Sequence, residues 1–193
     1  MNKNIFFAKL LLFTVYVSFF ISCTREDKLT SIGIELEKQG RLTEALFYYE
    51  KALAKNPDYG IANKRKGFIL SNSEKSSIPA IFHLEKALKE ENSSIPIKIK
   101  IIDLLLFDGN YSMIEKYTKD LSQRKDLLEL VMITKNCLEK EKDRKKAISE
   151  LESKQEVDEI KYLYRSISLC FSLGGEETKG MSFAEKFKGK FYE

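Results

Sequence analysis

Thiol and imidazole groups are the first chemistry to weigh, because so few residues carry them. The chain of 193 residues has three cysteines, Cys23, Cys137 and Cys170, and one histidine, His83. There is no CxxC pair and no cysteine-rich framework. With one imidazole available, a structural zinc site is not expected. His83 would need an orienting partner to act as a base, and the sequence offers none beside it. It is expected at the surface or at a groove edge. The nearest approach to an acid–base set is Asp103 with His83 or Tyr111, which would have to converge in one pocket. No Gly-rich phosphate loop occurs. The sequence thus predicts no catalytic residue, no metal, no cofactor and no small-molecule substrate.

Cys23 is the exception, because of what precedes it. Met1–Lys9 carries two lysines and no acid, and Leu10–Ile21 (LLLFTVYVSFFI) is uncharged. A membrane-spanning helix needs about 20 apolar residues. This run is shorter, so a secretory signal over residues 1–22 is favoured over a retained anchor. No A-x-A-like cleavage site is present. Phe20-Ile21-Ser22-Cys23 instead resembles the lipobox of bacterial lipoproteins. That resemblance implies a diacylglyceryl thioether at Cys23, cleavage before it and acylation of the new amino terminus. Several acyl chains anchor firmly, since each buried CH2 contributes about 0.8 kcal/mol. The address implied is the bacterial cell envelope, lipid-anchored, with the periplasmic face favoured over the cell surface.

Elements must position whatever the remaining residues 23–193 do. The chain is 43% hydrophobic and 32% charged, with three prolines and nine glycines, a balance that favours helix and a buried core. The net charge is +4, and loss of Lys3 and Lys9 with the signal leaves about +2. Lys and Glu are interspersed as solvated helix faces, so nucleic acid is not an expected partner.

A repeat organises this segment. Leu29, Ile32, Gly33 and Leu36 are followed by Gly40, Ala45, Tyr49, Ala52 and Pro57. The spacing resembles the tetratricopeptide pattern W-x2-L-G-x2-Y, A-x3-F, P. Gly33 and Ala45 are small where two helices approach. Gly40 suits a left-handed helix C-cap, and Pro57 stops the second helix. Gly67 follows Gly33 by one period, and Ala80, Leu84 and Ala87 repeat Ala45, Tyr49 and Ala52. Ser77 is placed to N-cap that helix. A third unit keeps Ile102, Leu105, Gly109, Ile114 and Leu121. There Ile95, Ile97, Ile99 and Ile101 alternate like a strand, but "FDGNYSMIEKY" copies "EKQGRLTEALF", so Ile97–Phe107 is assigned to helix. Repeats are placed near 26–59, 60–93 and 94–123, with degenerate repeats or a cap over 124–193. Helices are expected over Leu127–Leu138, Lys145–Glu152, Tyr162–Leu173 and Ser182–Lys188, with a break at Gly174-Gly175.

The resemblance implies an all-α, right-handed α-solenoid of about ten helices. Cys137 and Cys170 fall in the first helices of the fourth and fifth units. With neighbouring helices about 10 Å apart and disulfide Cα atoms within about 7 Å, two buried free thiols are expected; an oxidising envelope leaves the disulfide as the alternative. First helices of this family line a peptide-binding concave surface. By register the lining is Thr30, Ile34 and Glu37, then Lys64, Phe68 and Ser71, then Ile99, Asp103 and Leu106. The Lys and Asn of the family's chaperone-tail clamp are replaced by Thr30 and Ile34. The lining suits a partner helix or strand with apolar anchors. The implied function is an interaction scaffold tethered at Cys23, serving envelope protein assembly or secretion. A surface adhesin is the alternative, and an enzyme subunit is the remotest.

Overall fold

A computed structural model describes residues 25–72, 77–154 and 157–187, the side chains of residues 120 and 158 excepted. The described chain holds ten α-helices and no strand. They are α1 (Arg25–Lys38), α2 (Leu42–Leu53), α3 (Gly60–Leu70), α4 (Ile78–Leu88), α5 (Ile95–Phe107), α6 (Glu115–Thr118), α7 (Lys125–Glu139), α8 (Arg144–Ser153), α9 (Tyr164–Leu173) and α10 (Glu177–Phe187). Short 3-10 turns link several of them, the longest being Asp158–Leu163 immediately before α9. The architecture is an all-α, tetratricopeptide-like solenoid.

Two helical hairpins, α1–α2 and α3–α4, open the stack. Each depends on a missing Cβ. A Cβ on Gly33 would lie 2.5 Å from Tyr49 Cε1, and one on Gly67 would lie 2.7 Å from Leu84 Cγ. The paired side chains Tyr49 and Leu84 are fully buried against those backbones, as are Ala45, Ala52, Ala80 and Ala87. Burying a side chain the size of Leu stabilises by about 1.5–3 kcal/mol. The close approach is therefore an apolar contact won by leaving side-chain volume out.

The turn between α1 and α2 recurs after α5. Gly40 and Gly109 have φ of 75° and 74°, the left-handed region where a Cβ is costly. Arg41 N donates to Leu36 O and Gly40 N to Glu37 O; Asn110 N and Gly109 N do the same to Leu105 O and Leu106 O. Both are Schellman closures that satisfy the last carbonyls of the helix. Ser77 stands at the N-cap of α4 but makes no side-chain cap bond. Its hydroxyl donates to Asp108 Oδ1 at 3.1 Å, across to the end of α5. The expected cap is thus spent on joining two units.

α5 is the centre of the larger core. Every residue from Ile97 to Leu106 is buried. Packed around it are α4, α6, α7, α9 and the turn Asp158–Leu163. The alternating isoleucines are a helix because both of its sides are inside. A helix covered all round is apolar all round, and its sequence loses the one-sided stripe.

Candidate functional site

The first unit brings together a buried carboxylate and its two donors. Glu37 on α1 accepts from the Tyr49 hydroxyl of α2 and from Arg65 Nη1 of α3 at 3.2 Å. Burial lifts the Glu37 carboxyl above its ordinary value, while Tyr49 and Arg65 pull it back. Removal from water disfavours the anion, and the two donors favour it. The cluster ties three helices together and leaves Glu37 inside, not on an open surface. Thr30 is buried two turns earlier, its Oγ1 without a hydrogen-bond partner. Ile34 and Lys64 are half-buried, and Lys64 Nζ reaches Glu91 Oε2 at 2.8 Å.

The expected groove of the second and third units is filled by the chain itself. Tyr162 lies beside Phe68, with ring centroids 6.1 Å apart. Arg165 Nη1 donates to Ser71 O at 2.9 Å and its guanidinium stacks 4.1 Å above the Phe107 ring. Tyr164 donates to Asn72 Oδ1 at 3.0 Å. Ser166 donates to Asp103 Oδ1 twice, from its amide at 2.9 Å and from its hydroxyl at 2.6 Å. The Ser166 amide is in the first turn of α9, where backbone donors have no partner within the helix. Asp103 therefore caps α9 from α5, with its negative charge at the positive end of the α9 dipole.

Lys100 balances that charge. Its Nζ lies 3.0 Å from Asp103 Oδ2, both side chains are fully buried, and the ammonium sits 4.4 Å above the Tyr164 ring. Burial lowers the Lys100 pKa and Asp103 opposes the shift. The same burial raises the Tyr164 hydroxyl to about 12. Asp103 is thus a structural anion and not half of an acid–base pair. The candidates Phe68, Ser71, Ile99, Asp103 and Leu106 are all interior. The correction has one cause: α9 and the turn before it cover the face on which the family register places a groove.

His83 is half-buried and bonds Asn63 Oδ1 through Nδ1 at 2.8 Å. The Asn63 amide nitrogen already donates to Pro57 O and Tyr59 O, so its oxygen faces the ring and Nδ1 carries the proton. Desolvation, then Lys66 and Lys86, lower the His83 pKa to about 4. It is a neutral link between α3 and α4. Tyr111, half-buried, stands near Lys135. Among the described residues no group of three or more His, Cys, Asp or Glu could hold a metal ion. Cys23 lies outside the described residues.

Cys137 on α7 and Cys170 on α9 are joined by a disulfide, with Cα atoms 5.8 Å apart. The expectation of two free thiols is corrected, and the reason is geometric. Axes about 10 Å apart place facing Cα atoms, each about 2.3 Å off its axis, near 5.4 Å. That is inside the disulfide range. The bond staples the helix that covers α5 to its neighbour α7.

Hairpins with a small residue under a large one, repeated after one period, define an α-helical repeat protein. The comparison with family models is specific: residues 27–59 match the tetratricopeptide repeat. The chain therefore carries a tetratricopeptide repeat spanning α1, α2 and the turn after them. No curated protein and no solved structure matches it.

Proposed function

We propose that this protein is a lipid-anchored scaffold of the bacterial cell envelope that holds a protein partner on the face of its first repeat. The carrying observation is the tetratricopeptide match at residues 27–59, a repeat whose relatives bind proteins or peptides. Within that unit Ile34 is half-buried, and Lys64 of the next unit is half-buried with it, whereas Phe68 and Ser71 are covered by α9. A partly exposed apolar side chain on α1 and a paired lysine on α3 suit a helix or strand with apolar anchors. The Cys137–Cys170 disulfide supports an oxidising compartment. The signal-like segment before Cys23 supports export and acylation. Tethering raises the effective concentration of membrane partners.

A photo-crosslinking residue placed in the full chain at Ile34 or Lys64 tests the partner face. Both positions are expected to capture one envelope protein that a probe at the outward-facing Phe82 does not. Equal capture from all three positions would sink the proposal. Labelled fatty acid tests the anchor separately, because incorporation should vanish in Cys23→Ala.

A further inference from the structure

The two ends of the stack are finished differently. α10, the last described helix, packs on α9, and its exposed residues are polar or charged apart from Met181. A repeat stack needs a polar outer face at each end to stay soluble. At the other end α1 has Leu29 half-buried and Ile32 44% exposed. Hydrogen bonds fix which way Ile32 points. Asp27 accepts from Tyr59, just before α3, and Glu37 accepts from Arg65 within α3, so both face the second unit. Ile32 is five residues from each, about 140° round the helix in opposite senses, and so points away from that unit.

α2 continues this outer face. Glu50 accepts from Lys66 of α3 at 2.9 Å. Tyr48, two residues before Glu50, lies about 160° round the helix from it. Gly33 sits against Tyr49, so Ile32 and Tyr48 are level across the hairpin. Phe47, 51% exposed, meets Tyr48 edge to face with ring centroids 5.6 Å apart. Lys51 Nζ stands 4.2 Å from the Phe47 centroid. Among the described helices, α1 and α2 are the last at this end.

The chain that leads into α1 says what covers them. Cys23 is two residues before α1, a reach of about 7 Å. Ile32 is about 10 Å along the helix from Arg25. An acyl chain on Cys23 therefore brings a bilayer surface against this end of the stack first. Arg25 and Lys28 are exposed, within about 40° of Ile32 round the helix, and anionic headgroups attract such cations. The acid on that side, Glu35, stands further from Cys23. Apolar side chains and aromatic rings flanked by Lys and Arg suit the headgroup layer, where the rings and chain stems are buried and the charges stay wet.

We propose that the outer face of the first hairpin, carried by Leu29, Ile32, Phe47 and Tyr48, lies in the headgroup layer of the anchoring membrane. The bilayer is then the cap of this end of the stack. The proposal rests on the lipid-anchor reading above and adds an orientation to it: an acyl chain alone leaves the stack free to swivel, and a buried end face stands it upright. Ile34, on the partner face, is two residues beyond Ile32 and about 160° round α1, so bilayer and partner occupy opposite sides of one helix.

The sequence contains no tryptophan, so a single introduced one reports its own surroundings. The full chain carrying Ile32→Trp, or Phe82→Trp as reference, is reconstituted in vesicles of phosphatidylethanolamine and phosphatidylglycerol, with and without brominated acyl chains. Vesicle flotation and fatty-acid labelling are read on the same samples. Both substituted positions are exposed, and thermal melting like that of the parent chain checks the fold. The Ile32→Trp chain should shift its emission to the blue on reconstitution and lose most of it to the brominated lipid. The Phe82→Trp chain should do neither. Chains that float with the vesicles but are quenched equally at the two positions, or at neither, overturn the end face and leave the anchor standing. A blue shift without quenching, together with a doubled mass, assigns the face to a second copy of the chain and also overturns the proposal. No fatty-acid label and no flotation means that the anchor reading has failed, and the membrane face falls with it.

Discussion

Reducing the Cys137–Cys170 disulfide should cost this protein a large part of its stability. The two cysteines are 33 residues apart in sequence. In the chain-entropy model a crosslink removes about 2.1 + 1.5R ln n of entropy from the unfolded chain. With n of 33 this gives about 3.7 kcal/mol at 25 °C. For a chain of this size each kcal/mol moves the melting midpoint by about 2–4 °C, so the shift should be about 7–15 °C. The assay is helical circular dichroism on heating, comparing the oxidised full chain with the same chain reduced by a phosphine. Both sulfurs are fully buried, so reduction must be carried out on unfolded protein that is then refolded. The Cys137→Ala/Cys170→Ala double variant should melt low and ignore the reductant. Coincident midpoints for oxidised and reduced chains would refute the reasoning, as would two titratable thiols at these positions in unreduced, unfolded protein.

Two further predictions concern buried charge and pH. Asp103→Ala leaves the Lys100 ammonium buried and the α9 amide uncapped, and should destabilise by about 3–5 kcal/mol, whereas Lys100→Met/Asp103→Leu should cost far less, because the pair is removed together; urea unfolding of the two variants checks this, and equal losses would refute it. His83 is held near pKa 4 when folded and returns to about 6.5 when unfolded, so the unfolded state binds more protons between those values. Its contribution is full above about pH 6.5 and is lost as pH falls toward 4. Because the ring is half exposed, screening reduces the effect to roughly 1 kcal/mol. The difference in urea stability between pH 7 and pH 4.5 should shrink by that amount in His83→Gln, and an unchanged pH dependence would show that His83 is not the group responsible.

What was legible in the sequence was whatever the backbone alone demands. Gly33 and Gly67 face Tyr49 and Leu84 because two helices cannot close without a missing Cβ, and that requirement fixes an offset any reader can find. Gly40 and Gly109 were legible for the same kind of reason, since a left-handed turn tolerates few residues. Asp103 was not. Its role depends on α9 lying across α5, and nothing in "YRSIS" specifies which distant carboxylate will cap it. The disulfide was missed through the distance used, axis spacing in place of the gap between facing Cα atoms.

The covered groove, however, was written in α5 itself. A helix that lines an open surface must keep a polar stripe toward water. α1 keeps one, with Ser31, Glu35 and Lys38 exposed. "IPIKIKIIDLLLF" does not, because its apolar residues point in every direction round the helix and even Lys98, Lys100 and Asp103 are buried. Such a helix requires a neighbour on each side, and a solenoid supplies neighbours on only three. The fourth has to come from elsewhere in the chain, and α9 is the amphipathic segment left over. The third repeat was never able to stay open, and that is why the proposed partner face is placed on the first.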